Sequence, residues 1–277
     1  MQFIRIFLNR CFNRLGINQR GGQHCCFESE NIFRLNGVKF ILSCDIKEMQ
    51  NIKSSENCFL LGKTPLMVEK MIDLGKQREI MKIFEMGIFQ GGSTVLYDQV
   101  FQADKIVAID YHPQPVEALG KYIEQHRRIE SIKPYYGVNQ ADRSAMESIL
   151  TSEFPKKDID LIVDDASHFY LETRAAFNIN FPFLKAGGLY IIEDWAWAHW
   201  AGDLWQKDAS PFGESKAMSN FLIELFMFTA SCPEMVEDIV FNHNTIILKK
   251  GSGSFAAEPF DIGDHYLLRG KTFQAWL

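Results

Sequence analysis

Apolar and polar residues alternate in a regular rhythm through the middle of the chain. Short apolar runs bounded by turn residues predict strands at about 80–85, 105–110, 132–137, 159–164 and 188–193. Segments with apolar residues at helical spacing lie between them, at about 93–101, 115–127, 142–152 and 170–183. This alternation favours a parallel sheet with helices on both faces and right-handed crossovers.

The end of the chain departs from that rhythm. A helix predicted at about 214–229 is followed by an apolar segment from Asp238, an Asn-His-Asn turn and a second apolar segment from Thr245. Two strands joined by so short a turn must be antiparallel. We therefore predict a doubly wound, Rossmann-like α/β sheet that is mostly parallel and ends in an antiparallel hairpin. This plan resembles the class I methyltransferase fold.

The residues before the main domain predict an N-terminal helix and a β-hairpin. Asn36-Gly37 between two apolar segments is typical of a hairpin with a type I′ turn. Residues 1–20 combine an apolar helical face with unopposed arginines, because the first acidic residue is Glu28. This basic helix could dock on its own or a neighbouring subunit, contact a membrane peripherally, or act as a targeting peptide. Docking is the favoured interpretation, and we expect a homo-oligomer.

The predicted domains are an appendage at 1–60, the main domain at 61–250 and a C-terminal tail at 251–277. Residues 251–258, rich in glycine and serine, are typical of a flexible connection to that tail.

Composition narrows the class of protein. The 277 residues carry a formal net charge of −6, which argues against nucleic acid as the main partner. The six cysteines form no Cys-x-x-Cys pair, so a reduced, cytoplasmic protein is expected. No apolar run has the length of about 18 residues that a membrane-spanning helix needs.

Two consecutive predicted strands each end in a pair of acids. The run from Ile159 ends in Asp164-Asp165, followed by Ala-Ser-His168, and the later strand ends in Glu193-Asp194. Carboxylates at the end of buried strands are costly unless a cation or ligand offsets their desolvation. Oxygen ligands of this kind suit Mg²⁺ or Mn²⁺. In open α/β sheets, the carboxyl ends of the strands are also where ligands bind.

A glycine-rich turn follows the first strand of the main domain. Phe84-Glu-Met-Gly-Ile-Phe-Gln-Gly-Gly-Ser-Thr94 has Gly-x-x-x-Gly-Gly spacing, which is neither a Walker loop nor a dinucleotide fingerprint. It resembles the first motif of S-adenosylmethionine-dependent methyltransferases, in which an acid before the first glycine suits the methionine ammonium group. By this resemblance, Asp110 sits where a carboxylate can accept both ribose hydroxyls, and residues 139–142, which include Gln140, sit where that family reads the adenine edge. The expected cofactor residues are Glu85, Gly87, Gly91, Ser93, Asp110, Gln140, Asp142 and Asp164. Asp142 could instead cap the following helix.

The Asp-Asp-Ala-Ser-His and Glu-Asp motifs are similar to those of the metal-dependent macrocin and mycinamicin sugar O-methyltransferases. They also resemble those of the related family named cephalosporin hydroxylases, and the similarity covers about residues 80–200. The resemblance implies that Asp165, Glu193 and Asp194 hold the metal and that His168 is the general base. The chain departs from the family at Ala166, where the family usually has glycine. The expected acceptor is a small molecule with vicinal hydroxyls, either a glycoside or a catechol.

An aromatic segment follows the second acid pair. Its tryptophans could form a wall for the acceptor or pack as core against the N-terminal segment. The candidate acceptor contacts are Tyr170, Trp195, Trp197 and His199. Two other classes stay open from the residues alone, a nicotinamide-dependent oxidoreductase and a non-catalytic methyltransferase-like binding protein.

Overall fold

The structure is a computed structural model that describes residues 25–207, 212–213, 215–254 and 259–276. The predicted basic helix at 1–20 lies outside these residues. The described chain forms two compact units, the first from residues up to 80 with 88–104 and 115–132, and the second from 81–87, 105–114 and 133 onward. These units do not coincide with the boundaries predicted at 60 and 250, which remain a prediction.

The first unit contains a four-stranded sheet in the order β1-β2-β3-β4. The strands are β1 (Cys25–Ser29), β2 (Ile32–Leu35), β3 (Val38–Leu42) and β4 (Cys58–Leu61). The predicted hairpin joins β2 and β3, and both Asn36 and Gly37 have positive φ, as a type I′ turn requires. The strands at either edge were not predicted. β4 adds to β3 in parallel, and its Phe59 packs near Phe40 with ring centroids 6.4 Å apart.

The described part of the first unit also contains the helices α1 (Ile46–Asn51), α2 (Pro65–Gln77), α3 (Gly92–Phe101) and α4 (Glu117–Gln125). The start of α2 follows from local chemistry. The Thr64 side chain accepts a hydrogen bond from the Met67 backbone N–H, and Pro65 occupies the first turn, where it has no N–H to leave unsatisfied.

The second unit contains the seven-stranded sheet, in the order β10-β11-β9-β8-β5-β6-β7. Its strands are β5 (Lys82–Met86), β6 (Lys105–Asp110), β7 (Ile132–Tyr136), β8 (Ile159–Asp164), β9 (Leu184–Glu193), β10 (Val236–Phe241) and β11 (Thr245–Lys250). β5 pairs in parallel with both β6 and β8, and β8 pairs in parallel with β9. The hairpin β10–β11 is antiparallel and joins the sheet beside β9. The predicted mostly parallel sheet with a final antiparallel hairpin is confirmed.

This strand order decides where a ligand can bind. The chain runs outward from β5 to β6 and β7, and then returns to place β8 on the other side of β5. Such a reversal opens a crevice at the carboxyl ends of the strands. Because β8 and β9 are parallel neighbours in which Asp164 pairs with Ile192, their two acidic ends lie side by side.

The helices of this unit are α5 (Arg143–Glu153), α6 (Tyr170–Asn180), α7 (Asp203–Gln206) and α8 (Ser219–Ser231). Among the described residues, no helix is both long enough and apolar enough to cross a membrane. Within the predicted C-terminal tail, Phe260 and Ile262 are buried in the core. Arg174 links Glu224 of α8 to Asp261, at 2.9 and 2.7 Å. Residues 255–258, within the predicted flexible connection, lie outside the described chain.

Candidate active site

The acidic ends of β8 and β9 converge with one histidine. A donor atom from each of Asp165, His168 and Asp194 lies within 4.8 Å of the other two. Backbone hydrogen bonds fix both acids, since Asp165 N–H donates to the Met86 carbonyl at 3.0 Å and Asp194 N–H to the Asn244 carbonyl at 2.9 Å. Two carboxylates and an imidazole at this spacing could hold a divalent cation.

The Asp165–His168 turn has an unusual backbone. His168 has φ of 59°, a left-handed conformation that costs a residue with a Cβ about 1–2 kcal/mol. The left-handed position falls on His168 and not on Ala166, where the resembling family usually has glycine. The alanine therefore introduces no left-handed strain of its own.

Glu193, the third predicted ligand, occupies a different environment. It is the last residue of β9 and is buried, at 3% exposure, and it is not part of the three-residue cluster. The structure thus brings together two of the predicted ligands and the predicted base. The role of Glu193 as a ligand stays a prediction.

A buried carboxyl lies directly behind the cluster. Asp164 is 2% exposed, and this burial raises the pKa of its carboxyl to about 7, while the nearby His168 opposes the rise. The Gln140 amide nitrogen lies 3.4 Å and 3.5 Å from the two carboxylate oxygens of Asp164. The Gln140 amide oxygen accepts a hydrogen bond from the Ser167 backbone N–H at 3.0 Å.

The first glycine of the glycine-rich motif, Gly87, lies against the backbone of the Asp165–His168 turn. Gly87 has φ of +98°, and a Cβ built there would lie 2.0 Å from the Asp165 carbonyl oxygen. Glycine at this position is therefore required by close approach of the Asp165 backbone as well as by its own conformation. Glu85, two residues earlier on β5, is fully buried.

The second part of the glycine motif lies in the first unit. Gly91 has φ of +83° and precedes α3, and its added Cβ would lie 2.9 Å from Leu119. Ser93 lies in the first turn of α3 and is nearly buried. Their cofactor roles stay predictions.

The remaining predicted cofactor acids have local backbone partners. Asp110 ends β6, and its carboxylate accepts a hydrogen bond from the His112 N–H at 2.7 Å. Asp142 caps α5 by accepting from the Ala145 N–H at 3.1 Å, which confirms the capping alternative. A cap does not itself exclude ligand contact, so the cofactor role of Asp142 stays a prediction.

The predicted acceptor residues make contacts within the protein. The Trp195 indole N–H donates to the Asn242 carbonyl at 3.2 Å, and the Trp197 indole N–H donates to the His168 carbonyl at 2.7 Å. His199 Nε2 lies 3.2 Å from the Ser219 hydroxyl. The Tyr170 hydroxyl donates to the buried Glu224 carboxylate at 2.6 Å, which places it in the network around Arg174. Acceptor contact by these four residues stays a prediction.

Asn244 is a residue of the site that the sequence reasoning missed. Its side-chain amide donates to the Asp194 carboxylate, and its backbone carbonyl accepts from the Asp194 N–H. It lies in the Asn-His-Asn turn between β10 and β11, which we interpreted only as a turn. The sequence feature that could have indicated this role is a polar side chain in the turn of the C-terminal hairpin, because that hairpin pairs with β9, the strand that ends in acids.

The chain is similar in sequence to O-methyltransferases of natural-product pathways. Demethylmacrocin O-methyltransferase of Streptomyces fradiae is 26% identical over 169 residues, which cover 58% of this chain and 38% of that protein. The 8-demethyl-8-alpha-L-rhamnosyl tetracenomycin-C 2'-O-methyltransferase of Streptomyces olivaceus is 26% identical over 112 residues, 40% of this chain and 25% of that protein. The chain thus spans well under half the length of these relatives. The resemblance inferred from the motifs is confirmed.

The fold is likewise that of the class I methyltransferases. A solved Staphylococcus aureus structure, provisionally described as a caffeoyl-CoA O-methyltransferase, superposes with a TM-score of 0.51. It is 14% identical, and the match covers 68% of this chain and 85% of that chain. No protein-family model matches the chain.

Proposed function

We propose that the protein is an S-adenosylmethionine-dependent and divalent-metal-dependent O-methyltransferase. One observation carries the proposal: donor atoms of Asp165, His168 and Asp194 lie within 4.8 Å of one another, just after the adjacent parallel strands β8 and β9. Two carboxylates and an imidazole this close together are suited to holding a divalent cation, which a metal-dependent transferase has to bind.

The cofactor is assigned from residues of the second unit. S-adenosylmethionine supplies an electrophilic methyl group on a sulfonium. Glu85 provides a buried carboxyl group near the end of β5, suited to the methionine ammonium group. Asp110 provides a carboxylate at the end of β6 that can accept hydrogen bonds from ribose hydroxyls. These two acids lie on neighbouring strands.

The acceptor is proposed to be a small molecule with two neighbouring hydroxyls, most simply a sugar of a glycosylated natural product. The name of one relative supports a glycoside acceptor, because that enzyme acts on the 2'-oxygen of a rhamnosyl group. Mg²⁺ or Mn²⁺, held by Asp165 and Asp194 with Glu193 as the further predicted ligand, would lower the pKa of a chelated hydroxyl.

His168 is the residue proposed to accept the proton. A sugar hydroxyl is a poor nucleophile while it is protonated, and a histidine imidazole is a base that can remove the proton. Asp165 and Asp194 would hold the cation that binds the acceptor, so that the acceptor hydroxyl would lie beside His168. The position of His168 beside both acids also suits a metal ligand, and the two roles differ in what a substitution does to metal affinity.

Calorimetric titration of the purified protein with S-adenosylhomocysteine and with NAD tests the cofactor assignment. We expect S-adenosylhomocysteine to bind and NAD not to bind. Glu85→Gln should weaken the S-adenosylhomocysteine interaction, whereas Glu79→Gln, an acid before β5, should leave it unchanged. Binding of NAD alone would replace the proposal with an oxidoreductase.

A further inference from the structure

The catalytic turn is held from two sides by residues distant in the sequence. His168 adopts a left-handed backbone conformation, and conformations of this kind persist only where the surroundings over-determine them. Within the turn, Ser167 Oγ accepts a hydrogen bond from the Phe169 N–H at 3.3 Å. That local bond is long, so the contacts from outside the turn matter most.

Gln140 supplies the first external contact. Its side chain is almost fully buried, at 5% exposure, and both ends of its amide face the acidic segment. The amide oxygen accepts from the Ser167 N–H, and the amide nitrogen faces the Asp164 carboxylate. Gln140 therefore bridges the end of β8 to the middle of the turn.

Trp197 supplies the second contact. Its indole N–H donates to the carbonyl of His168 itself at 2.7 Å, a short and strong bond for this pair of groups. The ring is 3% exposed and packs against Phe169 and Phe212, with centroids 6.1 and 5.3 Å away. The indole is thus fixed by packing before it makes the hydrogen bond.

We propose that Gln140 and Trp197 are positioning residues that hold the Asp165–His168 turn in the conformation that gathers the metal-binding atoms. This inference rests on the proposed metal-dependent function. It gives Gln140 a role other than reading adenine, and Trp197 a role other than contacting the acceptor. Outer residues that orient metal ligands typically change metal affinity 10- to 100-fold when they are removed.

The test uses the full chain, Mn²⁺ as the probe and two independent substitutions. Trp197→Phe keeps an aromatic ring and removes the indole donor, and Gln140→Met keeps the side-chain length and removes both amide groups. Trp205→Phe is the matched control. Its ring packs against Trp200 and Phe212, so this variant makes the same tryptophan-to-phenylalanine change beside Phe212 and leaves the Trp197 indole donor in place. We expect each test variant to bind Mn²⁺ about tenfold more weakly or worse. The control should bind it as the wild type does, and S-adenosylhomocysteine affinity should stay within about twofold in Trp197→Phe and in the control.

Hydrogen–deuterium exchange of the metal-free protein gives a second readout that does not depend on the metal. The peptide that includes Ser167 should exchange faster in both test variants, because the turn loses a restraint, and unchanged exchange elsewhere would show that the variants fold. Unchanged Mn²⁺ affinity together with unchanged exchange would overturn the inference. Loss of S-adenosylhomocysteine binding in Gln140→Met, with the other two readouts unchanged, would also overturn it in favour of adenine recognition.

Failure of the proposed function has a different signature. If the wild-type protein itself does not bind Mn²⁺, the metal site is wrong. The positioning inference is then decided by exchange alone, with faster exchange of the turn supporting it and unchanged exchange overturning it.

Discussion

The side-chain amide of Asn244 donates a hydrogen bond to the carboxylate of Asp194, across 50 residues of sequence. The same asparagine accepts the Asp194 backbone N–H through its carbonyl, so one residue of the β10–β11 turn fixes both the position and the orientation of this acid. Asp194 has φ of 54°, and these bonds help to hold it in that left-handed conformation.

Replacing Asn244 by alanine should weaken metal binding, because the Asp194 carboxylate loses the donor that orients it. We expect Mn²⁺ affinity to fall about tenfold in Asn244→Ala, measured by electron paramagnetic resonance titration. His243→Ala is the control, since His243 is the exposed neighbour in the same turn. Equal Mn²⁺ affinities for the two variants would show that Asn244 does not act through Asp194.

The substitution His168→Gln distinguishes a role of His168 as general base from a role as metal ligand. If His168 acts only as the proton acceptor, the variant should lose at least about 100-fold in turnover, within the usual contribution of general base catalysis, and keep the wild-type Mn²⁺ affinity. Glu193→Gln serves as the comparison, because a ligand should lose Mn²⁺ affinity first. A marked fall in Mn²⁺ affinity in His168→Gln would make the histidine a ligand.

Gly87→Ala should destabilise the protein more than a left-handed conformation alone explains. Its Cβ would overlap the Asp165 carbonyl, whereas Gly187, also at positive φ, has nothing within 4 Å of an added Cβ. Gly187→Ala should lose about 1 kcal/mol of unfolding free energy, and Gly87→Ala clearly more, roughly 3 kcal/mol or above. Urea denaturation measures both. Equal losses would mean that the Asp165 backbone moves aside at no cost.

The buried side chain of Lys250, outside the candidate active site, leads us to predict that the stability of the protein depends on pH. Burial lowers the pKa of its ammonium group from 10.5 to about 8, although the group still donates to the carbonyls of Phe181 and Leu184. Between pH 8 and 10.5 the unfolded chain therefore holds a proton that the folded chain has released. Each rise in pH within this window makes it less favourable for the unfolded chain to hold that proton. The contribution of Lys250 to the free energy of unfolding should therefore increase by on the order of 3 kcal/mol across the window.

The Lys250 contribution is isolated by comparing the unfolding free energies of the wild type and Lys250→Met across this pH window. The difference between them should change with pH in the stated direction. Lys249→Met is the control, because Lys249 pairs with Glu237 at the surface. A pH-independent difference for Lys250→Met would mean that the buried amine keeps its ordinary pKa.

The strands of the sheet could be predicted because each is determined by residues that are close together in the sequence. The run from Ile159 to Asp164 is apolar and bounded by turns, and it forms β8 with the predicted bounds. The Asn36-Gly37 hairpin and the Thr64 cap are likewise set by neighbouring residues. The ligand role of Asp165 and Asp194 came from the family resemblance, and the pairing of β8 with β9 explains why these two acids lie close together.

The contacts that orient the site could not be predicted in this way. Gln140 reaches Ser167 across 27 residues, and Trp197 reaches His168 across 29. A single sequence does not show which polar side chain meets which backbone group at such distances. For the same reason the sequence does not show that Asp261, in the predicted C-terminal tail, binds Arg174 across 87 residues.

Transfer of a labelled methyl group from S-adenosylmethionine tests the central claim most directly. The acceptors are rhamnosides with vicinal hydroxyls, their 3-deoxy and 2,4-dideoxy counterparts, which keep hydroxyls but no vicinal pair, and catechol, each assayed after chelator treatment with and without added Mg²⁺. We predict transfer to a vicinal diol that stops on chelation and returns with Mg²⁺, with little transfer to either deoxy compound. Transfer that continues unchanged after chelation, or that does not distinguish the diol from its deoxy counterparts, would contradict the proposed metal-dependent mechanism.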